Sequence, residues 1–121
     1  MTKIFKLPAG EIKRLVDGYG GCYASDKITV DGYPVRFMYR EHPDQDTDSG
    51  WCDSGWRFMS GFEDDEYASN ADNFAIYRVN TIANYDPSII PFLDAPVGSS
   101  FEKPLAPERF VEVSGWTPAD S

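Results

Sequence analysis

The chain contains one histidine, His42, and two cysteines, Cys22 and Cys52. With no second pair and no CxxC, the cysteines form neither a disulfide framework nor a redox motif, and two free thiols are expected. A closed zinc site needs four ligands, which one histidine and two distant cysteines cannot supply without carboxylates. A histidine-based relay needs a nucleophile and an orienting partner, whereas His42 opens a polar loop, Glu41-His42-Pro43-Asp44, and reads as a surface residue. Gly18, Gly20 and Gly21 lack the lysine and the strand–helix context of a phosphate-cradling loop. No apolar run approaches the roughly 20 residues that span a bilayer, so no membrane partner is expected. The segment MTKIFKLPAGEIKRLV has no continuous apolar core and no small-residue cleavage site; no signal peptide is read there, and a cytoplasmic location is expected. Basic residues are few, 11 Lys and Arg against 20 Asp and Glu. Affinity for nucleic acid depends on neutralising phosphates, so nucleic acid is not an expected partner.

What remains is a chain of 121 residues, long enough for one domain with a real core, and its 41% hydrophobic content argues against disorder. The charge is unevenly placed. Glu41 to Asp72 holds ten acidic residues and one basic residue, Arg57, so the whole formal net charge of −9 falls in that block. Such a block is either a solvated loop region or an electronegative surface that steers a basic partner.

The most apolar stretch is Asn73 to Phe101. Phe74 to Val79 reads as a buried strand with apolar residues on both faces. Asn80 is placed to cap a helix ending near Tyr85, before Asp86-Pro87, which starts a second, short or irregular helix interrupted by Pro91. Ser99 to Phe101 starts another strand. Upstream, residues 1–19 form an N-terminal region in which Pro8 opens a helix through about Asp17, with Ile12, Leu15, Val16 and Tyr19 as a buried stripe. Cys22 to Ser25 is a short strand. Ile28–Val30 and Tyr33–Arg40 read as a hairpin turned by Asp31-Gly32, a favoured two-residue turn. Trp56 to Ser60 is a strand, with a helical turn expected near Asp64 to Ala68 and a last strand over Arg109 to Val113. Residues 114–121 read as a frayed tail. The expected fold is α+β: a single domain with an antiparallel-rich sheet of about five strands and two or three short helices. Strands carrying both acidic loops on one rim would concentrate the charge there.

Asp44, Asp46 and Asp48 have the i, i+2, i+4 spacing of a calcium loop. The loop would also need glycine where Ser49 stands and a bidentate glutamate where Gly55 stands, so no metal is expected. A local duplication, Asp48-Ser-Gly-Trp51 and Asp53-Ser-Gly-Trp56, reads as a short tandem insertion, and Trp51 is the exposed candidate within it. No pair of carboxylates stands out for acid–base chemistry, and no catalytic residue or cofactor is assigned.

Several segments together resemble a known family: Gly20-Gly21-Cys22 to Ile28, Tyr39-Arg40-Glu41, Ser54 to Gly61, Asn73-Phe74, and above all Asn80-Thr-Ile-Ala-Asn-Tyr-Asp-Pro87 with Leu93-Asp-Ala-Pro-Val-Gly98. In order and spacing they are similar to the bacterial domain of unknown function 2185 family, also grouped as immunity protein 33-like, over about Gly20 to Val113. The resemblance implies a small cytoplasmic domain that neutralises a cognate toxin by binding it. Taken with the −9 block, which would present carboxylates to a partner, the expected partner is a basic protein, for instance a toxin with a nuclease cleft. The partner-binding residues would be Asp44, Asp46, Asp48, Trp51, Glu63, Asp64, Asp65, Glu66 and Tyr67. A second reading is a small-ligand binder or enzyme with a pocket lined by Asn80, Asn84, Tyr85 and Asp86. A third is a regulatory module without a toxin partner.

Overall fold

Trp56 and Phe58 fix the centre of the molecule. They alternate along the longest strand, β3 (Asp53–Met59), and both are fully buried, stacked at 6.1 Å. In a computed structural model, described over residues 4–43, 52–104 and 108–113, this strand lies inside a six-stranded sheet. The other strands are β1 (Gly21–Ser25), β2 (Phe37–Arg40), β4 (Phe74–Arg78), β5 (Ser100–Glu102) and β6 (Val111–Glu112), in the order β4-β1-β3-β2-β5-β6. The pair β1–β3 is parallel and the other pairs are antiparallel. The class is α+β as expected, but the sheet is mixed and six-stranded rather than antiparallel-rich with five strands. The difference arises because β3 inserts between β1 and β2, whereas a hairpin reading makes sequence neighbours pair.

The helices are short: α1 (Asp26–Thr29), α2 (Asp65–Ala68) and α3 (Val79–Tyr85), with 3-10 turns at Ala9–Glu11, Ala71–Asn73 and Pro87–Phe92. One sheet face, carrying Cys22, Ala24, Met38, Trp56, Phe58 and Phe101, packs with Ile28, Val79, Ile82, Ile89 and Leu93 into a single core. The indole N–H of Trp56 donates to the Leu93 carbonyl at 3.1 Å, which satisfies the one polar atom of that side chain.

Four local expectations are corrected. Asp31-Gly32 ends α1 rather than turning a hairpin. A two-residue primed turn of the Asp-Gly type needs positive φ at both residues, but only Gly32 has it (φ 84), and no described non-glycine residue does. Ser25 instead caps α1 by accepting from the Lys27 N–H at 3.1 Å, and Tyr33 N–H closes onto the Lys27 carbonyl at 2.9 Å. The helix expected from Pro8 to Asp17 is only the turn Ala9–Glu11, and Leu15 is exposed. Asn80 and Asn84 take up the N–H groups of Lys13, Leu15 and Val16, holding this segment against α3 as a non-helical arm. Phe74–Arg78 is an edge strand, with Ile76 51% exposed, rather than a buried one. Asn80 lies inside α3 instead of capping it: the residue before the helix is Arg78, which makes no side-chain cap. The expected end at Tyr85 holds, as does the Asp86 cap, which accepts from the Ser88 N–H at 3.1 Å.

The parallel pairing of β1 and β3 has a consequence for charge. Both strands leave the sheet at the same end, where β4 and β2 begin, so α1, residues 31–36 and the acidic loop 60–73 share one rim. The other acidic loop leaves β2 after Arg40 and rejoins at Asp53, at the opposite end. The two acidic loops are therefore rooted roughly 20 Å apart, the length of a seven-residue strand, and not on one rim.

Candidate functional site

The rim that carries the 60–73 loop is built from backbone outward. Gly61 has φ 88, a conformation that favours glycine. The Glu63 carboxylate then locks the turn, accepting from Ser60 N–H at 2.9 Å, Ser60 Oγ at 2.7 Å and Gly61 N–H at 3.0 Å. Burial raises the pKa of this carboxyl, but hydrogen bonds from the Ser25 and Ser60 hydroxyls and from backbone N–H groups outweigh it and hold the pKa below its ordinary value. Asp64 caps α2, accepting from Tyr67 N–H at 2.7 Å. Asp65 and Glu66 follow in the first turn, where acidic residues complement the helix dipole; both are exposed.

Tyr67 is half-buried. Its ring packs edge-on against Phe74 with centroids 6.1 Å apart, and Lys27 Nζ lies 4.6 Å from its centroid. Beside it Phe62 and Tyr33 form an exposed aromatic pair with centroids 5.0 Å apart. Lys27, Phe62, Asp64, Glu66 and Tyr67 line an open groove of about 310 Å³. Five of the expected partner-binding residues, Glu63, Asp64, Asp65, Glu66 and Tyr67, thus sit on one rim. Glu63 and Asp64 also hold their own loop. Asp44, Asp46, Asp48 and Trp51 lie outside the described residues. Tyr33, Phe62 and Lys27 did not emerge from sequence reasoning. A lone Phe between glycine and four acids was the available signal for Phe62; Tyr33 was hidden by the hairpin reading.

Asn80, Asn84, Tyr85 and Asp86 are engaged within the molecule. Asn80 Oδ1 accepts from Leu15 and Val16 N–H at 2.7 and 3.0 Å, and its amide donates to the Lys13 carbonyl at 2.9 Å. Asn84 accepts from Lys13 N–H and donates to the carbonyls of Lys13 and Asn80. The Tyr85 hydroxyl accepts from Leu7 N–H at 3.1 Å. Asp86 Oδ2 accepts from Val35 N–H at 2.9 Å and from Lys103 Nζ at 2.7 Å, while Oδ1 accepts from Ser88 Oγ at 2.6 Å. Burial raises the Asp86 pKa, but the hydrogen bonds and charge of Lys103 and the Ser88 hydroxyl bring it below the ordinary value. Of the four, Asn80 also lines a groove of about 820 Å³, together with Lys13, Arg14, Tyr19, Gly20 and Arg78.

On the sheet face away from α3, Arg57 is buried among carboxylates. Its Nε donates to Glu41 at 2.6 Å, its terminal nitrogens form a bidentate pair with Asp53 at 2.8 and 2.9 Å, and it stacks 4.4 Å over the Tyr23 ring. Burial alone would favour the neutral form, yet the bonds to Asp53 and Glu41 raise the Arg57 pKa. Cys22 is buried, and desolvation raises its thiol pKa; Cys52 is exposed, and neither cysteine is in a disulfide. Among the described residues no cluster of His, Cys, Asp and Glu is arranged to hold a metal ion. No helix among them is long and apolar enough to cross a membrane.

These features describe an α+β domain with exposed acidic residues and aromatic rings at one rim and a groove bordered by Lys13, Arg14 and Arg78. The chain belongs to the family of the immunity protein Imm33 domain, whose model matches residues 22–114. No curated protein and no solved structure matches it.

Proposed function

We propose that the protein is a non-enzymatic cytoplasmic immunity protein that neutralises a cognate toxin by binding it through an acidic surface. Membership of the Imm33 family carries the reading. The rim supports it: Asp64, Asp65 and Glu66 are exposed around a groove that also presents aromatic carbon. Long-range attraction of a basic partner to this rim would speed encounter. Short-range contacts with Tyr67 would complete the interface on this rim; Asp44, Asp46, Asp48 and Trp51 belong to the acidic loop rooted at the opposite end of β3 and would form a separate contact with the toxin. The test is capture of a partner by the tagged chain from lysate of its own organism at low and moderate salt, followed by assay of that partner's toxicity with and without the chain. A stoichiometric partner that is lost as salt rises, and whose toxicity the chain abolishes, is expected. A partner whose toxicity is unchanged, or no partner at either salt, overturns the reading.

The ligand-binding reading has one observation in its favour, the 820 Å³ groove that Asn80 shares with Lys13, Arg14 and Arg78. Its test is a thermal-shift screen of small anionic metabolites, in which Arg78→Ala should abolish any stabilisation.

A further inference from the structure

The rim carries two large aromatic rings that the fold does not use. Phe62 is 56% exposed and Tyr33 45% exposed, yet their centroids lie 5.0 Å apart, so they form one apolar surface rather than two scattered side chains. Both are presented by fixed backbone. Phe62 follows the Gly61 turn that Glu63 locks, and its own N–H donates to Ser60 Oγ at 3.1 Å. Tyr33 follows Gly32, with its N–H held by the Lys27 carbonyl. Two rings already positioned before a partner arrives lose little conformational freedom on docking. The surroundings set the sign of that partner. Residues 26–36 and 60–73 hold seven acids (Asp26, Asp31, Glu63, Asp64, Asp65, Glu66 and Asp72) against two cations, Lys27 and Arg36, of which Arg36 is already paired with Glu108. Lys27 already covers Tyr67, which leaves Phe62 as the ring in the groove beside Asp64 and Glu66.

We propose that the Tyr33–Phe62 pair is the apolar anchor of the toxin interface, and that its occupant is a basic segment of the toxin. An arginine or lysine of that segment lays its aliphatic stem on Phe62 and places its cationic head between Asp64 and Glu66. The proposal rests on the toxin-binding reading above and gives that reading its contact point. An acidic partner or a nucleic acid would meet the carboxylates of Asp64 and Glu66 in the groove.

The experiment uses the full chain and the purified toxin obtained by the capture above, with affinity and rates measured by biolayer interferometry. The variants are Phe62→Ala, Tyr33→Ala and Glu66→Lys, with Val111→Ala as control, since Val111 is 46% exposed on β6 at the far edge of the sheet. Phe62→Ala and Tyr33→Ala should each weaken binding about 10- to 100-fold, mainly through faster dissociation, with melting temperatures unchanged. Glu66→Lys should mainly slow association, and Val111→Ala should bind like the parent. Tight parent binding with Phe62→Ala and Glu66→Lys both within twofold of it would overturn the anchor and leave the immunity reading standing. Failure of the parent chain to bind any toxin would overturn both.

Discussion

The two ends of the sheet use the same residue types in opposite ways. At the end where β1 and β3 finish, Asp31, Asp65 and Glu66 face water around exposed aromatic rings. At the end where β3 begins, Asp53 and Glu41 are turned onto the Arg57 guanidinium, and the Asp53 side chain is 1% exposed. The acidic block is therefore not one surface. Part of it neutralises an interior charge, and part is left outside, where it costs little and acts at long range. Asp86 belongs with the interior set, paired to Lys103 across 2.7 Å. Formal charge counted along a chain does not separate these roles; burial and partners do.

The contrast is sharpest where an interior pair is cut. Lys103→Met leaves Asp86 without its cation, and Arg57→Met leaves Asp53 and Glu41 without theirs. Each should cost about 3–5 kcal/mol in denaturant unfolding, because an uncompensated charge stays buried. A loss under 1 kcal/mol in both would erase the distinction between the two sets of carboxylates.

Acid should act on the same interior groups. The folded pKa values of Asp86 and Glu63 lie below their ordinary values of 3.8 and 4.5. Their stabilisation is thus fully present above those values and is lost as pH falls through the lower folded ones. The urea midpoint should hold between pH 7 and 5 and drop below about pH 4. In Asp86→Asn the drop should be shallower, and an equally steep drop would assign the acid sensitivity elsewhere.

A smaller effect is expected at the arm. Asn84→Ala removes bonds to the Lys13 N–H and to the carbonyls of Lys13 and Asn80 at a partly exposed site, at a cost of about 1–2 kcal/mol. Trypsin should then cleave faster after Lys13 and Arg14. An unchanged cleavage rate would mean that Asn80 and Tyr85 hold the arm unaided.

At the rim the expected stability change is the least. Asp65→Asn with Glu66→Gln should shift stability by no more than about 0.5 kcal/mol, while slowing toxin association and flattening its salt dependence. A destabilisation above 1 kcal/mol would show that these acids support the loop as Glu63 does.

The sequence by itself determined the class, α+β, and the elements whose signals are local. The Asp86-Pro87 start, the helix end at Tyr85 and the helical turn near Asp64 to Ala68 follow from proline sterics and side-chain caps, which act within a few residues. The segments Asn80–Pro87 and Leu93–Gly98 pointed to the family for the same reason: they are contiguous runs. Only the tertiary structure decided the rest. Which strands paired depended on β3 entering between β1 and β2. Whether Pro8 to Asp17 coiled depended on two asparagines more than sixty residues away, whose side chains take up the arm's N–H groups. Which carboxylates face water depended on the parallel pairing that sent the two acidic loops to opposite ends of β3. Hydrogen-bond partners and burial are set by contacts distant along the chain, so composition and spacing could count the charges but could not say which of them a partner meets.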